Sequence, residues 1–343
     1  MSTQTRSRDV SAVMLRRPSP NLPVRLTYEQ RPAPVPGPRD LVVKPCFVGV
    51  CGSDLELLAG HMDADFPVEY PLILGHEWSG TVVEAGADVT GFEPRQLVVG
   101  HGSLGDNRWF GITSNGAMAD LFLVPAAMCF PVPDGVSAQR AAMAEPLACV
   151  LQGLHVAGGA DASHTAVVFG CGSLGLAMVG LLRSTGASVV AVDPSAQRRE
   201  IATTLGATLA LEAGNGAALL SRIQDELGVA GADLVVEASG AAAAQAASLE
   251  VTARGARVLL MGLAHGSATA ELRLVQARLL TVSTSVGAPA EIWEPALRLM
   301  HRTGLDLTPA VSDVFGFDRC TEALQAARSP DTTGKVMLRP AGN

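Results

Sequence analysis

This chain has no Cys-x-x-Cys pair, no surplus of basic side chains, no internal repeat and no uninterrupted apolar run of membrane-spanning length. Each absence removes a class of function. The six cysteines, at 46, 51, 129, 149, 171 and 320, are too scattered for a zinc finger or a disulfide scaffold. They fit the reduced thiols of a cytoplasmic protein, and Cys46, Cys129 and Cys320 read as small core residues. A net charge of −8 provides no electrostatic footprint for nucleic acid or an anionic membrane. The first thirty residues hold five arginines and no continuous apolar core, so no secretory signal is visible. Residues 162–182 carry no charge, but Gly170, Gly172, Gly175 and Gly180 interrupt them, together with His164 and Ser173. A buried strand, a tight turn and a packed helix account for that stretch better than a membrane span.

What is present is a globular composition, 48% hydrophobic and 17% charged, in 343 residues. That length allows two domains, each with its own core. Residues 1–9 read as a mobile arm. Residues 11–155 read as short strands punctuated by Pro and Gly, closing with a helix over 138–154. After Gly158-Gly159, strand-like and helical segments alternate to about residue 287, the pattern of a parallel α/β sheet. A tail with helices near 292–302 and 319–328 and a last strand at 335–338 is too short to fold alone. The expected division is therefore 1–155 with 288–343, and 156–287.

Within the second domain the strand 165–169 runs into Gly170-Cys171-Gly172-Ser173-Leu174-Gly175 and then a helix. A lone Gly-x-Gly-x-x-Gly is a weak signal. Placed after a strand, at the start of a helix and 23 residues before the acidic strand end Asp193, it reads as a dinucleotide loop. Gly170 allows the turn, Gly172 lets backbone approach the pyrophosphate, and Gly175 permits close packing of helix on strand. Ser173 and Leu174 put helix N-terminal N–H groups at the phosphate charge. Asp193 would accept ribose hydroxyls and repel a 2′-phosphate, which favours NAD over NADP. Arg198 is expected beside the cofactor, although with Arg199 it also fits a solvated helix face. Ser239, Gly262 and Ser285, near the ends of later strands, complete the expected cofactor contacts.

In the first domain, Leu74-Gly75-His76-Glu77 follows an apolar run, and Cys51 lies 25 residues upstream in Cys51-Gly52-Ser53-Asp54. Thiolate, imidazole and carboxylate are the side chains that bind zinc. Taken singly, His76 fits a hydrogen-bonded core histidine and Cys51 a core thiol equally well. The spacing requires a folded domain to bring them together.

Jointly, Cys-Gly-Ser-Asp at 51 to 54, Gly-His-Glu at 75 to 77, Glu-Pro-Leu-Ala at 145 to 148 and the glycine turn resemble the medium-chain, zinc-dependent alcohol and polyol dehydrogenases over nearly the whole chain. The resemblance implies a GroES-like β-rich catalytic domain joined to a Rossmann domain, an α/β protein acting on a small polar alcohol or ketone. It makes Cys51 and His76 zinc ligands, with Glu77 and Glu145 competing for the third position. Asp54 would receive the second imidazole N–H of His76, and Ser53 would carry the substrate proton away. Where relatives continue that relay with a histidine, this chain has Glu56. The segment 100–116, which in many relatives holds four cysteines on a structural zinc, has none here. One catalytic zinc per chain is expected, with Trp109 and Phe110 packing either the shortened lobe or a subunit contact. Trp78, Glu145-Pro146 and Glu237-Ala238-Ser239-Gly240 look most like the sorbitol and 2-deoxy-scyllo-inosamine dehydrogenase branch, with threonine-type enzymes close behind. Glu56, His61 and residues 63–69 would meet a polyhydroxylated or amine-bearing ring, or form an exposed loop. Relatives of this kind are homodimers or homotetramers. A zinc-free quinone or enoyl reductase and a non-catalytic nucleotide-binding protein are the alternatives; neither needs Cys51, His76 and Glu145 together.

Overall fold

The computed structural model describes residues 9–17, 22–62, 66, 68–264, 266–329 and 332–341. Of the expected arm, residues 1–8 lie outside these, and Asp9 is no arm residue but the first of strand β1 (Asp9–Arg16). The chain divides into two compact units. The first comprises Met1–Glu145, Pro289–His301 and Val311–Asn343; the second comprises Pro146–Ala288 and Arg302–Ala310. The first division falls ten residues before the expected 155, and residues 302–310 group with the second unit.

The first unit begins with β1, β2 (Arg25–Pro32), β3 (Asp40–Gly49), helix α1 (Gly52–Ala59), β4 (Leu72–Ile73), β5 (Glu77–Ala85) and β6 (Leu97–Gly100). It continues through β7 (Ser103–Gly105), β8 (Arg108–Trp109), β9 (Phe122–Pro125), β10 (Cys129–Pro131), α2 (Ala138–Ala142) and the start of α3 (Ala144–Val156). β1 is buried along Ala12, Val13, Met14 and Leu15 rather than at alternate positions, because it is covered on both faces. It lies between β2 and β4 in a three-stranded sheet. The expected single helix over 138–154 is two. Pro146 has no N–H to offer the carbonyl of Ala142, so a continuous helix is broken and α3 restarts at Ala144, with the proline in its first turn.

The second unit holds β11 (Thr165–Phe169), α4 (Ser173–Ser184), β12 (Ser188–Val192), α5 (Ala196–Thr204), β13 (Leu209–Leu211) and α6 (Gly216–Leu227). Then come β14 (Ala232–Glu237), α7 (Ala242–Glu250), β15 (Thr252–Leu260), α8 (Arg273–Ala277) and β16 (Thr281–Thr284). The strands are parallel in the order β13-β12-β11-β14-β15-β16. Counted along the chain this is 3-2-1-4-5-6, the doubly wound Rossmann order, whose direction reverses between β11 and β14. Ala166, Val167, Val168 and Phe169 are all buried, the continuous apolar run of a central parallel strand.

The tail adds α9 (Trp293–Thr303), β17 (Val311–Gly316), α10 (Cys320–Arg328) and β18 (Lys335–Arg339). β18 runs antiparallel to β3, placing Met337 opposite Gly49, and β17 lies parallel to β18. The resulting larger sheet of the first unit has the order β10-β6-β5-β3-β18-β17, with β9 also on β3.

Candidate metal centre and dinucleotide loop

The metal-binding chemistry gathers where β3, α1, the turn before β5, and β18 meet. Cys51 is the N-cap of α1, and Asp54 three residues on accepts the Cys51 N–H through Oδ2 at 2.8 Å. That bond satisfies one helix-end donor and fixes the direction of α1. Gly75 has φ +98°, and a Cβ there would stand 2.7 Å from Val48 and 2.8 Å from Met118. Only glycine makes this turn, which presents His76. On the other side Ala117 N–H bonds to Gly75 O at 2.8 Å, and a Cβ on Gly111 would stand 2.4 Å from the same oxygen.

Cys51 Sγ, a His76 ring nitrogen and a Glu77 carboxylate oxygen lie within 4.8 Å of one another, with His76 and Glu77 buried and Cys51 half-buried. Three donors of this mixed kind fit a zinc ion that keeps one position open. Ser53 Oγ, half-buried on α1, lies 3.4 Å from His76 Nε2. Asp54 Oδ1 lies 3.8 Å from His76 Nδ1, beyond hydrogen-bond length, and both atoms are buried without a partner. Glu145, half-buried in the first turn of α3, is outside the three-residue group, although its charge is felt at His76 and Lys335.

Lys335 is the residue that sequence reading missed. Its Nζ donates to Glu77 Oε1 at 2.8 Å, to Glu77 Oε2 at 2.6 Å and to Val50 O at 3.0 Å. All three ammonium donors are used, and the two side chains are 2% and 3% exposed. Gly49 stands opposite Glu77 in the β3–β5 register, where a Cβ would lie 2.3 Å from Glu77 Oε2. The one available cue was a lysine opening the apolar strand Val336-Met337-Leu338.

The electrostatics fit a cation. Burial pulls the His76 pKa down, but the Cys51 hydrogen bond and the charges of Asp54 and Glu145 outweigh it and push it up to about 10. Burial likewise opposes ionisation of Glu77, and the Lys335 and His76 charges more than reverse that, holding the carboxyl below its ordinary value. For Asp54 burial dominates and raises the pKa. A pocket that draws a proton onto its imidazole is short of positive charge, which a divalent ion supplies.

The segment 100–116 forms a two-stranded hairpin of β7 and β8 turning at Asp106 (φ 50°) and Asn107 (φ 56°). Phe110 points inward onto Trp78 (6.3 Å) and Phe122 (5.7 Å), so it packs the lobe. Glu56 Oε2 and His61 Nδ1 stand 3.4 Å apart at the end of α1, with His61 exposed. Residues 63–65 and 67 of the segment expected to meet the substrate lie outside the described residues.

In the second unit Gly170 has φ +87°, and a Cβ on Gly175 would stand 1.7 Å from Gly170 O. Gly172 caps α4 with open space where a Cβ would be, and Ser173 Oγ is a buried oxygen without a partner. An open helix N-terminus with an unpartnered hydroxyl is a cradle for a pyrophosphate. Asp193, 2% exposed, accepts Cys171 N–H through Oδ2 at 2.7 Å and Ser195 N–H through Oδ1 at 2.8 Å. It thus ties the end of β12 to the glycine loop, and each oxygen keeps a lone pair for a ligand. Arg199 is not simply solvated: its guanidinium donates to Asp193 O (2.7 Å) and Pro194 O (2.9 Å). Ser239 is exposed beyond β14, Gly262 half-buried beyond β15 and Ser285 buried beyond β16.

Comparison with known proteins adds a second line. The alcohol dehydrogenase GroES-like domain family matches residues 37–134, and the zinc-binding dehydrogenase family matches residues 173–302. A sorbitol dehydrogenase of Gallus gallus is 28% identical over 336 residues, covering 92% of this chain and 93% of the relative. An L-threonine 3-dehydrogenase of Saccharopolyspora erythraea is 29% identical over 342 residues, covering 91% and 95%. Among solved structures, a zinc-binding dehydrogenase from Sinorhizobium meliloti bound to NADP superposes with a TM-score of 0.86 at 28% identity, covering 97% of this chain and 100% of that one.

Proposed function

The chain belongs to the medium-chain zinc-dependent alcohol and polyol dehydrogenase family, and from that premise we propose that it moves hydride between a secondary alcohol of a polyol, sugar or (amino)cyclitol and NAD. The observation that carries this reading is the grouping of Cys51, His76 and Glu77 within 4.8 Å. Neither a quinone reductase without zinc nor a non-catalytic nucleotide binder has a use for that grouping.

Bound zinc supplies a Lewis acid for the alcohol oxygen, and bound nicotinamide supplies the hydride acceptor. Cys51, His76 and Glu77 would hold the ion, with Glu145, whose charge is felt at His76, as the competing carboxylate. Ser53 Oγ, kept in place by α1 at 3.4 Å from His76 Nε2, would relay the hydroxyl proton, accepting it while its own proton passes on to solvent. Asp54 holds the start of α1 through the Cys51 N–H, so it acts on the position of Cys51 and Ser53 together.

Preference for NAD over NADP rests on the Asp193 carboxylate at the end of β12, whose charge opposes a 2′-phosphate. Because the Sinorhizobium meliloti relative holds NADP, comparing KM for the two cofactors is the direct test, and a strong NADP preference would reverse the assignment. The polyol preference draws on the sorbitol dehydrogenase relative. Screening polyols, cyclitols, amino-cyclitols and threonine for chelator-sensitive NADH formation tests the whole reading, which fails if no alcohol in the panel is oxidised or if chelation has no effect. Metal analysis should find one zinc per chain; two would contradict the assignment of residues 100–116.

A homo-oligomer is supported by β16, the outer strand of its sheet, where Thr281, Val282 and Thr284 are exposed. Leu279 (61% exposed) and Val286 (81%) flank it. An open apolar edge is the surface a second copy covers. Light scattering should show a dimer or larger, and V282E should shift it towards monomer. All six cysteines are free, which supports a reducing, cytoplasmic setting.

A further inference from the structure

Glu237, the last residue of β14, is fully buried and takes no part in the chemistry described above. Its side chain meets only donors. Oε1 accepts Ser239 N–H at 2.8 Å, Gly240 N–H at 3.0 Å and the Ser239 hydroxyl, and Oε2 accepts Gly240 N–H at 3.2 Å. Among the described residues no lysine or arginine pairs with it. Surroundings made only of donors suit a carboxylate, since a carboxylic acid needs somewhere to place its proton. Burying an anion without a counter-cation is costly.

The position of Glu237 gives that cost a use. The sheet order reverses between β11 and β14, and a dinucleotide spans such a reversal with one half on each side. The glycine loop after β11 and Asp193 after β12 take the adenosine half. The strand ends β14, β15 and β16 are left for the nicotinamide half. Over Glu237 the backbone is thin. A Cβ on Gly170 would stand 2.7 Å from the Ser239 side chain, and one on Gly262 would stand 2.1 Å from Gly240 N and 2.9 Å from Glu237 Oε2. Loops packed this closely, with glycine at 170, 240 and 262, interpose little between the carboxylate and whatever rests on them. The nicotinamide ring is cationic when oxidised and neutral when reduced, so a fixed anion discriminates between the two forms.

We propose that Glu237 biases this site towards the oxidised, cationic form of the nicotinamide cofactor, acting through the glycine loops rather than by touching it. The inference rests on the dinucleotide reading given above. The test is E237Q in the zinc-loaded full chain, with Kd for NAD+ and for NADH measured by tryptophan fluorescence titration. Glutamine keeps the shape and an oxygen for the three donors on Oε1. Kd for NAD+ should rise about tenfold, the scale of one unit charge acting over about 12 Å through an effective dielectric near 20, while Kd for NADH changes by less than about twofold. Equal weakening of both forms would mean that Glu237 only braces its loop, and unchanged constants would mean that its charge is not felt; either result overturns the proposal. If E237Q does not fold, E237D keeps the charge: its NAD+/NADH ratio should stay within about twofold of the parent even if both affinities fall, and a large drop in that ratio overturns the proposal. If the parent protein binds neither form, the dinucleotide reading itself has failed, which is a different outcome from a ratio that E237Q leaves untouched.

Discussion

Replacing Lys335 with methionine removes one member of a pair whose side chains are 2% and 3% exposed. Methionine fills comparable space, but Glu77 loses a cation held at 2.6 and 2.8 Å and Val50 O loses its donor at 3.0 Å. Taking one partner from a buried ion pair costs about 3–5 kcal/mol, and a stranded carbonyl adds about 1 kcal/mol. Against a total stability of about 5–15 kcal/mol that is a large fraction. Urea unfolding of metal-free K335M, followed by tryptophan fluorescence, should therefore show a loss of about 4–6 kcal/mol. The zinc-loaded variant should lose less, because a divalent ion beside Glu77 replaces the missing charge. K335R, which keeps the charge, should recover most of the loss. A loss below about 1 kcal/mol in the metal-free protein, or equal losses with and without zinc, would refute the assignment of Lys335 to this site.

The same pair has a defined pH window. Glu77 has a lowered folded pKa, so its contribution is present above the ordinary carboxyl value of 4.5 and disappears as pH falls through the folded value. Lys335 has a raised folded pKa, so its contribution is complete below 10.5 and disappears as pH rises through the folded value. The stability difference between parent and K335M should be flat across neutral pH and shrink at both extremes. A difference that instead changes steadily between pH 6 and 9 would tie the effect to another group, His76 first among them.

Three further outcomes follow from the same geometry. S53A should lose about a hundredfold in kcat for alcohol oxidation near neutral pH with zinc content unchanged; full activity would remove Ser53 from the proton path. G175A, whose Cβ would stand 1.7 Å from Gly170 O, should lose more than about tenfold in dinucleotide affinity while retaining zinc; parent-like NADH titration would show that the loop does not hold the cofactor. In the metal-free protein the His76 pKa is about 10, so at pH 8 zinc should displace a proton from His76 as well as the one any thiolate ligand releases. Calorimetry in buffers of different ionisation enthalpy counts those protons, and a release of about one or fewer would mean that His76 is already neutral.

The parts of the site that could be read from sequence are those whose chemistry is local. Cys51-Gly52-Ser53-Asp54 and Gly75-His76-Glu77 each place their functional groups on one turn, where a glycine conformation or a helix start fixes them. The Gly170 loop is legible for the same reason, since strand, turn and helix are consecutive. Lys335 was not, because its partner is 258 residues away and the two meet only when β18 is laid beside β3. The single helix expected over 138–154 fails at Pro146, which stands in plain sight: an alanine-rich apolar run outweighs the missing N–H when composition alone is read. The division at Glu145 is equally hidden, because it falls inside the continuous helix α3, where composition does not change. The two glutamates show the limit best. Glu77 and Glu145 offer the same chemistry in sequence, and only the folded chain shows Glu77 grouped with Cys51 and His76, with Gly49 opposite it in the β3–β5 register leaving room for its carboxylate.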